Sequence, residues 1–330
     1  MRCSTRAISL LVVAFAIAGP GVAEAQKQKL VLACSQTASS FYAACVAMAQ
    51  AINQRVSSVD VSVMETGGAV QSMRRMQKNE ADIALSTGDQ MFLAWRGADN
   101  WKDTTFEDIR LLLYFTISAN VVIVREDSGV RSVPELSGRK FNPGTRGSST
   151  EKMTETVLLG LGVKPDWQRM GTSDAVDAIK DKRIIGYAKA GSGFSLDSST
   201  MDIATQTAIR VLPFTEQDMK KSKQAHPHIP WVKVPAGAPL AKGIGEFWTM
   251  GLFSGLSVRK SFPKELVSEI MSAISETGAG PLKAAFPGTV SDIPKATAEL
   301  ATTPVHAGTL SYLRQRGITV PEQLVPSEAR

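Results

Sequence analysis

The chain of 330 residues lacks several features that would narrow its function at once. Its 3 cysteines are too few for a disulfide-dense miniprotein, and its 26 glycines and 16 prolines fall far short of a collagen or low-complexity composition. The 3 histidines, His226, His228 and His306, form no H-E-x-x-H pair. His226-Pro227-His228 also has no carboxylate pair beside it, so neither a metal nor any other cofactor is expected. There is no P-loop and no dinucleotide-binding G-x-G-x-x-G. Charge of one sign is missing as well. The 37 Lys+Arg against 31 Asp+Glu leave a net charge of +6, but the basic residues are scattered, which excludes a nucleic-acid footprint. What remains is ordinary globular composition, 43% hydrophobic and 21% charged, at a length suited to one or two folding units with a sizeable core.

The first 25 residues speak to location. Arg2 and Arg6 precede an apolar run over residues 8–18, too short for a comfortable membrane span. Gly19-Pro20-Gly21 breaks that run, and Ala23-Glu24-Ala25 offers the small residues of a signal-peptidase site. Residues 1–25 therefore read as a secretory signal peptide, with a periplasmic mature chain beginning near Gln26. No later apolar stretch reaches the roughly 20 residues of a spanning helix. Cys3 leaves with the signal. Cys34 and Cys45 remain, either paired in an oxidising compartment or held as two buried thiols.

Along the mature chain short β-rich runs alternate with helical patterns, which predicts β-α-β units and a largely parallel sheet. Strands are expected at residues 29–33, 59–64, 82–85, 120–124, 139–142 and 184–189, and an extended segment at 247–258. Helices are expected at 39–55, after Gly67-Gly68, at 133–136, 149–161, 173–180, 263–277 and 306–316. Val70, Met73 and Met76 lie on one helical face and read as core.

Four of the expected strand-to-helix junctions are rich in Gly, Ser and Thr: residues 35–40, 66–68, 86–89 and 143–150. In an open parallel sheet such junctions lie where ligands bind, and helix N-termini there favour carboxylate, phosphate or sulfate. Each loop taken singly is also what a capped turn looks like. Arg146 could clamp a carboxylate through two parallel hydrogen bonds. Enzyme signatures are weaker. Ser137-x-x-Lys140 and Ser149-x-x-Lys152 fit S-x-x-K, but no K-T-G follows, and Gly191-Ser192-Gly193 is not the nucleophile elbow G-x-S-x-G.

Three stretches carry a family resemblance: LVLACSQTASSFYAACVAMAQAIN, VSVMETGGAVQSMRRMQKNEADIALSTGD and VVIVREDSGVRSVPELSGRKFNPGTRGSSTEKM. With VLPFTEQDM, VPAGAP, FPKELVSEIM and TTPVHAGTLSYLRQRGI in order behind them, the mature chain resembles the TAXI family, the periplasmic solute receptors of tripartite ATP-independent (TRAP) transporters. It departs from the family pattern in its loops. The first is Ser35-Gln36-Thr37-Ala38-Ser39-Ser40-Phe41-Tyr42 rather than glycine-rich before a tyrosine pair. Ala69-Val70-Gln71-Ser72 follows the double glycine in place of an Asn-containing tail. Thr87-Gly88-Asp89 stands where the family has Gln-Ser-Asp, and Gly147-Ser148-Ser149-Thr150 where it has G-S-G-T.

The resemblance implies an α/β fold, a two-lobed periplasmic binding protein of type II with a central cleft and hinge. Residues 26–114 with 233–330 would form one lobe and residues 115–232 the other. It implies a receptor that captures a glutamate- or 2-oxoglutarate-type carboxylate by lobe closure and delivers it to TRAP permease subunits, without enzymatic activity. A monomer is expected, with no nucleic-acid partner. The expected ligand-binding set is Thr37, Ser40, Tyr42, Thr66, Gly67, Asp89, Arg146, Ser148, Thr150, Gly191 and Ser192. Two alternatives stay open: a sensing receptor without transport, and a periplasmic serine acyl-enzyme using Ser137 or Ser149. If Arg146 is the carboxylate partner, Arg146→Ala should weaken binding by on the order of 2 kcal/mol.

Overall fold

The structure is a computed structural model that describes residues 26–329; the expected signal peptide lies outside the described residues. Strands β1 (Gln28–Ala33), β2 (Val59–Met64) and β3 (Ile83–Thr87) pair in parallel, in the order β2-β1-β3. The helices between them are α1 (Ser40–Arg55) and α2 (Ala69–Gln77), and α3 (Gly88–Arg96) follows. The sheet then passes into two long strands, β4 (Ile109–Arg125) and β10 (Phe247–Arg259), which run antiparallel from Gly251 opposite Ala119 to Arg259 opposite Ile109. Beyond them lie β5 (Lys140–Asn142), β6 (Asp166–Trp167) and β7 (Gly186–Ala190), with β8 (Ile209–Leu212) on β4 and β9 (Trp231–Val234) on β10.

This second half carries α4 (Ser149–Gly160), α5 (Thr172–Lys180), α6 (Ser198–Ala204) and α7 (Glu216–Ala225). The chain then returns to the first half as α8 (Lys264–Ser272), α9 (Ala279–Ala285), α10 (Ile293–Leu300) and α11 (Ala307–Gln315). A smaller core of the second half gathers Val121, Ile123, Val176, Ile179, Ile203 and Phe247, separate from the main core.

Local chemistry accounts for most of these elements. β1 is the apolar run ending in Leu32 and Ala33, both buried. Ser39 caps α1 by accepting from the Phe41 N–H, and Thr215 and Asp218 close a reciprocal capping box on α7. Met73 and Met76 sit at 0% exposure, so that stripe is core.

The expectation of a largely parallel sheet is corrected: β4 is antiparallel to β7 and β10, and β10 to β3, giving a mixed sheet. The reason is visible in β4. Residues 109–125 are buried along nearly their whole length, so the strand is a near-continuous apolar run without period-two alternation, and the strand expected at 120–124 is only its second half. Three helix boundaries also shift. Residues 133–136 form a 3₁₀ turn around Pro134, α5 is capped by Gly171 rather than Ser173, and α8 gives way to a π turn at Ala273–Thr277. Between β10 and β4 the strands come so close that a Cβ on Gly255 would lie 1.9 Å from the Leu113 carbonyl oxygen.

Cys34 and Cys45 form a disulfide, with their Cα atoms 6.4 Å apart. The bridge joins the end of β1 to α1 and closes the loop over residues 35–40. A closed loop of this size stabilises by about 3 kcal/mol. Replacing both cysteines by alanine is expected to lower the urea midpoint with little change in slope. An unchanged midpoint would show that the bridge adds nothing to stability.

Candidate functional site

Between the two halves of the sheet lies a partly enclosed cavity of about 50 Å³, several times the space one water needs. Leu85 and Thr87 of β3, Leu252 and Ser254 of β10, and Lys189 and Ala190 of β7 contribute strand residues to its wall. The rest comes from helix starts. Ser39 is the N-cap of α1, Gly68 of α2, Thr87 of α3 and Ser148 of α4, and Thr172 is the first residue of α5; all five line the cavity. Each helix start brings N–H groups without helical partners and a partial positive charge. All four Gly/Ser/Thr junctions noted in the sequence send residues to this one space.

The arrangement depends on very close backbone approach. A Cβ on Gly67 would lie 2.0 Å from the Arg146 carbonyl oxygen, and Gly68, at φ +131°, packs against Ser148. No other residue type fits either place. Beneath the cavity Phe41, Phe115 and Phe286 form a ring cluster, with Phe41 centroids 4.9 Å from Phe286 and 6.3 Å from Phe115. It joins α1, β4 and the returning C-terminal chain.

Polar contacts tie the two sides together across the cavity. The Asp197 carboxylate accepts from the Ser40 N–H at 2.9 Å and the Ser39 hydroxyl at 3.4 Å, both on the far side. It also accepts from the N–H and hydroxyl of Ser199 on its own side, and pairs with the Lys189 ammonium at 3.4 Å. The Ser198 N–H donates to Ser40 Oγ, Thr87 and Ser149 share a hydroxyl contact at 2.6 Å, and the Gln71 N–H donates to the Gly147 carbonyl at 3.0 Å. Burial pushes the Asp197 pKa up, but Lys189, Ser199 and the N–H donors outweigh it and hold the carboxyl below its ordinary value of 3.8.

The sequence-named residues divide. Gly67, Ser148 and Thr150 line the enclosed cavity. Thr66 and Arg146 line an outer groove at its mouth, where Gly67 also appears, facing Glu65 and Asp174. Thr66 is buried and hydrogen-bonded to the Cys34 carbonyl and to Ser72. Ser40 spends its N–H and hydroxyl on Asp197 and Ser198. Thr37 sits exposed at the rim with its N–H on Glu65, and Tyr42 packs half-buried against the core. Gly191 and Ser192 lie beside the returning chain, where Ser192 Oγ accepts from the Gly288 N–H. Asp89 is buried in the first turn of α3 and faces a different cavity.

Of the acyl-enzyme candidates, Ser137 receives the Lys164 N–H away from the cavity. Ser149 is bonded to Thr87, and Lys152 pairs with Glu155. Among the described residues no three His, Cys, Asp or Glu side chains gather as a metal site. Lys189 and Asp197 were not singled out from sequence. A lysine within a strand and an aspartate before two serines and a threonine have nothing distinctive until the fold brings them together.

A curled α/β sheet bent about a cleft of converging helix N-termini is the fold of periplasmic solute-binding proteins. The chain belongs to the NMT1-like family, whose family model matches residues 32–317. Solved structures agree on the fold. One described as a periplasmic transporter aligns with a TM-score of 0.53 at 16% identity, over 90% of this chain and 94% of that one. A protein of Bordetella bronchiseptica aligns at 0.51 and 16%, over 90% and 91%. The Xanthomonas citri protein XAC2383, solved bound to chloride ion, aligns at 0.51 and 12%, over 87% and 99%. No helix among the described residues is long and apolar enough to cross a membrane.

Asp197 gives this site a pH signature. Its folded pKa is depressed, so it contributes stability above the unfolded value and loses it as the pH falls through the folded one. Acid unfolding profiles of the wild type and Asp197→Asn are expected to converge below about pH 3.8, with the wild type more stable above it. Parallel profiles across that range would show that the carboxylate carries no such linkage.

Proposed function

We propose that the protein is an exported receptor that captures a small organic anion by closing its two lobes over it. The observation that carries this reading is the meeting of five helix N-termini and the Lys189 side chain in one enclosed space. Closing over an empty cavity would leave the helix-start N–H donors not used in capping without an acceptor, at a cost of about 1–3 kcal/mol for each unpaired buried group, and would leave the Lys189 ammonium with Asp197 as its only counter-charge. An anion with several oxygens satisfies them together. It thereby shifts the population toward the closed form, which the Asp197 and Thr87–Ser149 contacts then hold.

In this reading residues 26–114 with 233–330 move as one lobe and residues 115–232 as the other, with β4 and β10 bending between them. The ligand is a carboxylate of the glutamate or 2-oxoglutarate type, and the closed monomeric receptor docks on TRAP permease subunits in the manner of the TAXI family. The residue-level resemblance across the mature chain and the family's binding-protein fold support that assignment. Lys189 lies in the enclosed cavity and Arg146 in the outer groove, so Lys189 is the carboxylate partner in the closed form and Arg146 acts nearer the mouth.

A thermal-shift panel of organic and amino acids tests the reading. A ligand at 100 times its Kd stabilises by about 2.7 kcal/mol, a plain rise in Tm. Calorimetry on the best acid should then show Lys189→Met costing about 2 kcal/mol or more, and Arg146→Ala less. No stabilisation by any acid, together with neutral solutes that stabilise, would replace the anion reading with a neutral one.

A further inference from the structure

A second cavity, of about 540 Å³, opens on the other face of the long paired strands. The alternation of β10 separates the two: Leu252 and Ser254 face the enclosed cavity, and Phe253 between them faces this one. The chain divides in the same way at the start of α3, where Thr87 lines the first cavity and Gly88 and Asp89 line the second.

The second cavity is mostly apolar, with Phe253, Phe92, Pro227 and Pro230 among its walls, and its one acidic group is Asp89. That carboxyl is 4% exposed. The Gln90 side-chain amide donates to it at 3.0 Å, the Thr87 hydroxyl and the Gln90 N–H also bear on it, and among the described residues no lysine or arginine pairs with it. Burial raises its pKa, against smaller opposing effects of Thr87, Gln90 and the nearby His228. The start of α3 offers only a partial positive charge. His228 forms part of the facing wall, but burial holds it toward the neutral form, and its Nε2 lies 3.8 Å from Asp99. A buried carboxyl without a cationic partner, set among aromatic walls, lacks a counter-charge that a ligand can supply.

We propose that this cavity binds a small apolar amine in its ammonium form, with the ammonium on the Asp89 carboxylate and the apolar body against Phe92 and Phe253. The site is separate from the anion cavity and does not depend on how that cavity is read.

The test titrates the full chain with phenethylammonium and with its neutral counterpart 2-phenylethanol, by calorimetry or by nuclear magnetic resonance. The ammonium should bind at least about tenfold more tightly than the alcohol, the size expected of one charge-assisted contact. Asp89→Asn should remove that advantage, and Phe253→Leu should weaken both compounds. If Asp89→Asn does not fold, the ammonium-to-alcohol ratio on the wild type and the Phe253→Leu comparison still decide the matter. Equal affinity for the two compounds, undiminished ammonium binding by Asp89→Asn, or no binding of either would overturn the proposal. A gain in Lys189→Met without a loss in Asp89→Asn would place the ammonium in the enclosed cavity and overturn it equally.

Discussion

Asp197 lies at 1% exposure, and its two oxygens serve five donors drawn from both sides of the cleft. A carboxylate removed from water to that degree is costly unless it is fully partnered. The partners on its own side, Lys189 and Ser199, are fixed by β7 and α6. Those on the other side, Ser39 and Ser40, are the capped start of α1. Asp197 therefore caps two helices at once, its own α6 and α1 across the cleft. The Cys34–Cys45 bridge and the Phe41–Phe115–Phe286 cluster hold the start of α1 where this contact can form.

The same geometry sets what the cavity can accept. Lys189 is shared between Asp197 behind it and the space in front, so its charge is partly spent before any ligand arrives. The remaining attraction for an anion is spread over helix N-termini, each worth up to about 1 kcal/mol where exposed to water and more where dry. Many weak donors converging from both sides of the cleft favour a ligand that spans them, and in the proposed function this makes capture and closure one event. A receptor that must later release its solute is better served by this division than by one deep ion pair.

Much of the fold was legible in the sequence because its signals are local. The β2 run at residues 59–64, the Ser39 cap and the Met73–Met76 stripe each follow from neighbouring residues alone. The antiparallel course of β4 was not legible, because its pairing with β7 and β10 is set by segments distant in sequence. The site shows the same division. The Gly/Ser/Thr loops advertise themselves at four junctions, whereas Lys189 and Asp197 acquire meaning only through partners such as Ser40, 157 residues from Asp197 in sequence. Arg146 drew notice as a charged residue in a suitable loop, yet its backbone carbonyl, pressed against Gly67, does more to shape the cavity.

The central claim is that an organic anion and closure of the cleft are one equilibrium. Glu65 and Asp174 are both exposed and line the outer groove from opposite sides, so spin labels at Glu65→Cys and Asp174→Cys report the gap between them. Pulsed electron-spin distance measurements should give a broad or long distribution without ligand. With the stabilising acid the distribution should collapse to one short distance, and Asp197→Asn should shift it back toward the long one. A distribution unmoved by the acid that binds would contradict the account.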